Sequence, residues 1–90
     1  MEISFDPAKD ARNLEKHGLS LEYGARVLIS MYGEVEDRRR DYGETRMKAF
    51  AKINRIWFQC SYTVRGTVVL IINVHRTNER EVRKWLERSG

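Results

Sequence analysis

From Thr45 onward the side chains alternate, and the alternation breaks only at gaps too short for anything but a tight turn. Met47, Ala49, Ala51 and Ile53 alternate with Arg46, Lys48, Phe50 and Lys52. Ile56, Phe58, Cys60, Tyr62 and Val64 alternate with Trp57, Gln59, Ser61, Thr63 and Arg65. A period of two marks strands whose two faces meet different surroundings. Asn54-Arg55 and Arg65-Gly66 leave room only for hairpins, so these strands pair antiparallel. Val68–Val74 is almost continuously apolar, as expected of a central strand covered on both faces.

The first half reads differently. Glu2–Phe5 suits a short strand with Ile3 and Phe5 on one face. Asp6 suits a helix N-cap and Pro7 the first helical position, where a missing N–H costs nothing. A helix over about Pro7–His17 places Ala8, Ala11 and Leu14 on its inner stripe. Gly18 suits the left-handed residue past its end, and Ser20 can cap a second helix over about Leu21–Met31. That helix carries Leu21, Ala25, Leu28 and Tyr32 on one side, and Gly33 ends the pattern. Glu34–Asp37 suits an edge strand. Arg38–Gly43 is a polar turn whose three arginines read first as a solvated loop and second as an RNA contact. Asn78 with Glu81 has the capping-box spacing for a last helix, which Val82, Trp85 and Leu86 should dock on the sheet. The order is α+β: a short strand, two helices, an antiparallel sheet of three to four strands and a C-terminal helix, in one domain over residues 1–90.

Charge narrows the partners. Lys and Arg number 17 against 13 Asp and Glu, a formal net charge of +4 that suits a polyanion such as RNA or an acidic protein. Cys60 is the only cysteine, which excludes an internal disulfide. The apolar runs are too short to span a bilayer and no secretory leader is apparent, so a cytoplasmic location is expected. The two histidines and one cysteine have no metal-ligand spacing, and no glycine-rich phosphate loop occurs; neither a metal nor a nucleotide cofactor is expected. Cys60 alternates with core residues and reads as inert.

The alternation also sorts the chemistry. If Met47, Ile53, Ile56, Phe58 and Tyr62 face the first two helices, the other face carries Arg46, Lys48, Phe50, Lys52, Trp57, Gln59, Ser61 and Arg65. Cations interleaved with aromatics can neutralise phosphates and stack bases. The same pattern also describes a plain amphipathic sheet with Trp57 covered by the last helix. His75 and Arg76 fall where the last strand should end. An imidazole moves protons near neutrality, and a guanidinium stabilises charge on a phosphorane-like transition state. A strand-end histidine bonded only to backbone fits equally well. His17, beside Gly18, reads as structural, its charged form favoured by the helix C-terminus.

Several segments together resemble the BrnT toxin family. They are Phe5-Asp6-Pro7-Ala8-Lys9, Asn13, and Lys16-His17-Gly18-Leu19-Ser20-Leu21-Glu22 with Ala25. Then come Gly43-Glu44-Thr45-Arg46, Tyr62-Thr63-Val64-Arg65-Gly66, and the run from Ile71 to Glu81. The resemblance implies a RelE-like fold and a ribonuclease toxin that cleaves RNA without metal, either free or on the ribosome. It implies neutralisation by a ribbon-helix-helix antitoxin of the BrnA type, with operator DNA met only through that complex. On this reading Arg65, His75 and Arg76 are the catalytic candidates, and Arg46, Lys48, Lys52, Trp57 and Arg80 the RNA-binding ones. The chain departs from the family pattern at Leu70, Asn73, His75 and Thr77, where His75 can supply the proton-transfer group in place of an arginine. Two rival readings keep the fold without nuclease activity: a protein-interaction module and a plain nucleic-acid-binding domain.

Overall fold

The computed structural model describes residues 2–87. Their elements are β1 (Glu2–Ser4), α1 (Pro7–His17), α2 (Tyr23–Ile29), β2 (Gly33–Glu36), β3 (Met47–Ile53), β4 (Ile56–Arg65), β5 (Val68–Thr77) and α3 (Glu79–Glu87). The α+β class holds. The sheet has five strands in the order β1-β5-β4-β3-β2, one more than expected, because β1 joins it. β1 runs parallel to β5, so the sheet is mixed. Asn54 and Arg55 both take positive φ, the geometry of a two-residue hairpin whose twist matches its strands.

The helices do not share one side. Leu21 and Val27 pack with Ala51, Ile53, Phe58, Cys60, Val69, Ile71 and Val74 in the main core. Val82 packs with Val35 and Phe50 on the other face, beside Trp57, Trp85 and Leu86. The helices therefore flank the sheet on both sides: α3 covers the second face, as in the reading that puts the last helix over Trp57. Phe50 on that face is fully buried, so it is no open, solvated surface. Asn78 Oδ1 accepts the Glu81 N–H at 2.9 Å and starts α3 as the sequence predicts.

Two apolar stripes also need correction. Ala8, Ala11 and Leu14 are exposed, and the buried residue of α1 is Asn13. Polar bonds hold this helix. Asn13 Nδ2 donates to the carbonyls of Leu19 and Val74, each at 2.8 Å, and Asn13 Oδ1 accepts the Val74 N–H at 3.1 Å. β1 pairs only with Val68–Leu70, so at Val74 the side-chain amide stands where a neighbouring strand would. Asp10 Oδ1 accepts from the Ser20 hydroxyl and the Leu21 N–H. α2 is shorter than Leu21–Met31 and buries Gly24 and Val27, while Tyr32 lies exposed. Asp6 sits at the α1 N-cap with extended backbone but makes no side-chain cap bond.

β5 runs on through His75 and Arg76 to Thr77, so neither lies beyond the strand end. Its register against β4 shifts once: Ser61 pairs with Asn73 and Tyr62 with Ile71, leaving Ile72 as a bulge. The bulge resets the alternation. Val69, Ile71 and Val74 all reach the main core, and Asn73 and His75 emerge on the α3 face.

Gly24 marks the closest approach of α2 to the sheet. A Cβ there would lie 2.9 Å from Ile71 Cγ2 and 3.1 Å from Cys60 Sγ. Helix propensity alone favours Gly24→Ala by about 1 kcal/mol. The branched Ile71 is held in the core, so overpacking should prevail and leave the variant about 1–2 kcal/mol less stable. Thermal unfolding checks this, with Tm expected to fall by roughly 4–15 °C for a domain of this size.

Candidate active site

On the α3 side, the pairing of β2, β3, β4 and β5 lays side chains in rows across the sheet. Val35, Lys48, Ser61 and Asn73 form one row. Gly33, Phe50, Gln59 and His75 form the next, and Lys52, Trp57 and Thr77 a third. α3 covers the β2 and β3 part of these rows. Between α3 and the C-terminal end of α1 a cleft of about 410 Å³ remains. Lys16, His17, Arg39, Lys48, Gln59, Asn73, His75, Thr77, Glu81 and Trp85 line it.

The cleft has two kinds of chemistry. Its floor is polar and buried: Lys48, Gln59 and Ser61 are all at most 6% exposed. Lys48 Nζ lies 3.3 Å from Ser61 Oγ, to which it donates, and 5.1 Å from the centre of the Trp85 ring. Burial, and then the charge of Arg39, push the Lys48 ammonium below its usual range. Arg39 stacks on Trp85 at 4.9 Å, held by its bonds to Asp37. Asn73 Oδ1 is buried without a hydrogen-bond partner among the described residues. At the mouth the rings of His17 and His75 lie 5.1 Å apart, tilted by 33°. Burial first, then His75 and Lys16, lower the His17 pKa and favour its neutral form. The expected helix-end stabilisation of a charged His17 is therefore overridden.

The sequence candidates divide between several places. His75 and Lys48 share the cleft. Arg76, next along β5, points to the opposite face, with its Cζ 6.0 Å from the Phe58 ring and its Nη1 donating to the His17 carbonyl at 3.4 Å. Arg65 pairs with Val68 at the far end of β4, six residues or about 20 Å from the row of His75. It is engaged by Glu44 at 3.1 Å. Arg46 lies under Tyr42, 4.3 Å from ring centre to Cζ, and also faces Glu44. Lys52 sits 5.7 Å over Trp57, which borders a separate groove with Tyr32, Val82 and Leu86. Arg80 lines a further groove along α3 with Arg83 and Lys84. Arg65, His75 and Arg76 thus do not converge on one phosphate.

Sequence reading passed over the cations of α1. Lys9, Arg12 and Lys16 line a groove beside the cleft together with His17. Their spacing of three and four is a helical stripe that the sequence does display. None of the three is ion-paired among the described residues. Among those residues, no group of three or more His, Cys, Asp or Glu could hold a metal ion, and no helix is long and apolar enough to cross a membrane.

The cleft thus gathers cations, side-chain amides and two imidazoles, groups whose chemistry suits a phosphate. The profile of the family described as "Ribonuclease toxin, BrnT, of type II toxin-antitoxin system" matches residues 5–81, and the chain belongs to that family. No curated relative matches the chain. Type II systems pair each toxin with an antitoxin, so the family implies such a partner here.

Arg39 reaches the cleft only because Asp37 holds it. Asp37 accepts the Arg39 backbone N–H, its Nε and Nη2, and the Tyr42 hydroxyl. The Arg39 side chain, bonded to it, holds the Asp37 carboxyl far below the usual carboxylate range, although burial opposes the shift. A depressed carboxyl contributes stability that is present above its unfolded value of about 4 and is lost as pH falls towards its folded value. Asp37→Asn should cost about 1–2 kcal/mol at pH 7, discounted because Arg39 is largely exposed. The gap to the parent should begin to narrow as pH falls below about 4 and should persist in part at pH 2. Thermal melts between pH 2 and 7 measure both.

Proposed function

We propose that this toxin cleaves RNA in the cleft between α1, α3 and the end of β5, without a metal ion. The observation that carries the reading is the convergence of His75, His17, Lys48 and Arg39 on one cleft that has Gln59 and Asn73 in its walls. RNA cleavage needs a base for the 2′-hydroxyl, an acid for the 5′-oxygen and positive charge on the phosphate. Imidazoles and fixed cations supply all three. The unpaired stripe of Lys9, Arg12 and Lys16 extends the positive surface along α1 and gives the strand a track by which to enter. Arg65 and Arg46 serve as phosphate contacts further along the chain, and Trp57 offers a stacking surface for a base. Arg76 supports the reaction by bracing the end of α1.

The partner in this reading is a ribbon-helix-helix antitoxin that reads operator DNA for the pair, and the toxin works in the cytoplasm. Purified protein should degrade RNA in excess EDTA, and co-expression with the antitoxin should abolish both cleavage and growth arrest. Parallel reactions on naked and translating mRNA resolve whether the ribosome takes part. Lys48→Met should slow single-turnover cleavage by about 10²–10³. Arg65→Ala should mainly weaken RNA binding and reduce its salt slope by about 1. RNA left intact by soluble, folded protein would remove the nuclease reading and leave an interaction module.

A further inference from the structure

We infer that His17 and His75 form an acid–base pair, with His17 the proton acceptor and His75 the proton donor in RNA cleavage. This rests on the nuclease reading above and adds a catalytic residue to it. His17 ends α1 and His75 lies near the end of β5, 58 residues later, yet their rings face each other at 5.1 Å across the mouth of the same cleft. Three hydrogen bonds set that distance. Asn13, one turn before His17, is tied to both backbone groups of Val74, the residue before His75. Arg76, the residue after His75, donates to the His17 carbonyl.

The environment separates the roles. His75 Nδ1 lies 2.9 Å from the carbonyl oxygen of Arg76. A carbonyl only accepts, so Nδ1 carries a proton and Nε2 is left to face the cleft chemistry. The His17 ring makes no hydrogen bond among the described residues, and burial favours its neutral form, as a base requires. The charged groups around the pair are Lys16 on α1, Lys48 on β3, Arg39 after β2 and Glu81 on α3, with Arg76 behind. Four cations against one carboxylate act with burial to favour the neutral form of His17, and the RNA phosphate is the anion that the donor ring would face.

The step balances. A neutral ring nitrogen of His17 takes the 2′-hydroxyl proton as the 2′-oxygen bonds to phosphorus. The bond from phosphorus to the 5′-oxygen breaks, and that oxygen takes the proton from Nε2 of the His75 imidazolium. The products are a 2′,3′-cyclic phosphate and a 5′-hydroxyl. Lys48 and Arg39 offset charge on the pentacovalent phosphorus.

The test is a pH profile of single-turnover cleavage of mixed-sequence RNA, with product ends analysed. The parent should show a bell-shaped profile whose two apparent pKa values belong to the pair. His17→Gln should cut the rate by about 10²–10⁴ and remove the acid limb. His75→Gln should do the same and remove the alkaline limb. The double variant should be little slower than either single one, because the two act as a unit. Added imidazole should restore part of the rate to His17→Ala. Melting temperatures close to the parent's would separate these effects from loss of fold, since both rings lie outside the cores. Parent-like rate and profile in His17→Gln would overturn the pair while leaving the nuclease reading intact. No cleavage by the parent would remove both. Inorganic phosphate offers a probe independent of turnover: it should raise the pKa of both imidazoles in NMR titration, and a shift confined to His75 would also overturn the pair.

Discussion

The arrangement of this protein depends on one buried amide. Asn13 replaces a missing strand: where β1 stops after three residues, its side chain takes the N–H and C=O of Val74 as a β-ladder would. α1 has no buried apolar residue to anchor it, so this bidentate contact and the carboxylate of Asp10 fix its position. An unpaired backbone group in a core costs about as much as a lost hydrogen bond, so the helix cannot drift without leaving two of them behind. Everything α1 contributes to the cleft inherits its placement from that residue.

The second constraint is α3. By covering Val35 and Phe50 it gives a small domain a second core, and it converts half of a basic sheet face into the wall of a cleft. Lys48 is caught in the process. A buried ammonium is unfavourable unless it has partners. Here it has Ser61 and the face of Trp85, and it remains at the edge of the cleft where a phosphate would complete its set. The protein keeps a costly cation where a structural residue would be apolar, which agrees with a binding role for that position.

Much of this was legible in the sequence. Period-two alternation gave the three long strands and their faces, Gly18 the end of α1, and Asn78 the start of α3. What escaped was set by polar contacts over long sequence separations. Ala8, Ala11 and Leu14 made a plausible stripe, but Asn13 decided which side of α1 turns inward, and nothing local to Asn13 announces a partner 61 residues away. The site was half legible. His75 and Lys48 stood out by residue type and alternation, and they do share a cleft. Arg65 and Arg76 were grouped with them by resemblance and charge, and strand geometry sends them elsewhere. His17 looked like a helix-end residue because it is one, and its second neighbour is visible only in three dimensions.

The bulge at Ile72 has an effect beyond local twist. It divides β5 into two stretches with independent phase, one serving the hydrophobic interior and one serving the cleft. A substitution at any single position of the strand changes one side chain, but flattening the bulge, with Ile72 drawn into the ladder opposite Ser61, would exchange the whole outer stretch. Asn73 and His75 would turn into the apolar layer, and Val74 and Arg76 would turn out. For this strand the reading frame of the backbone carries as much information as the identity of its residues. A chain that kept Ile72 in a regular ladder would hold the same shape and turn its cleft residues inward.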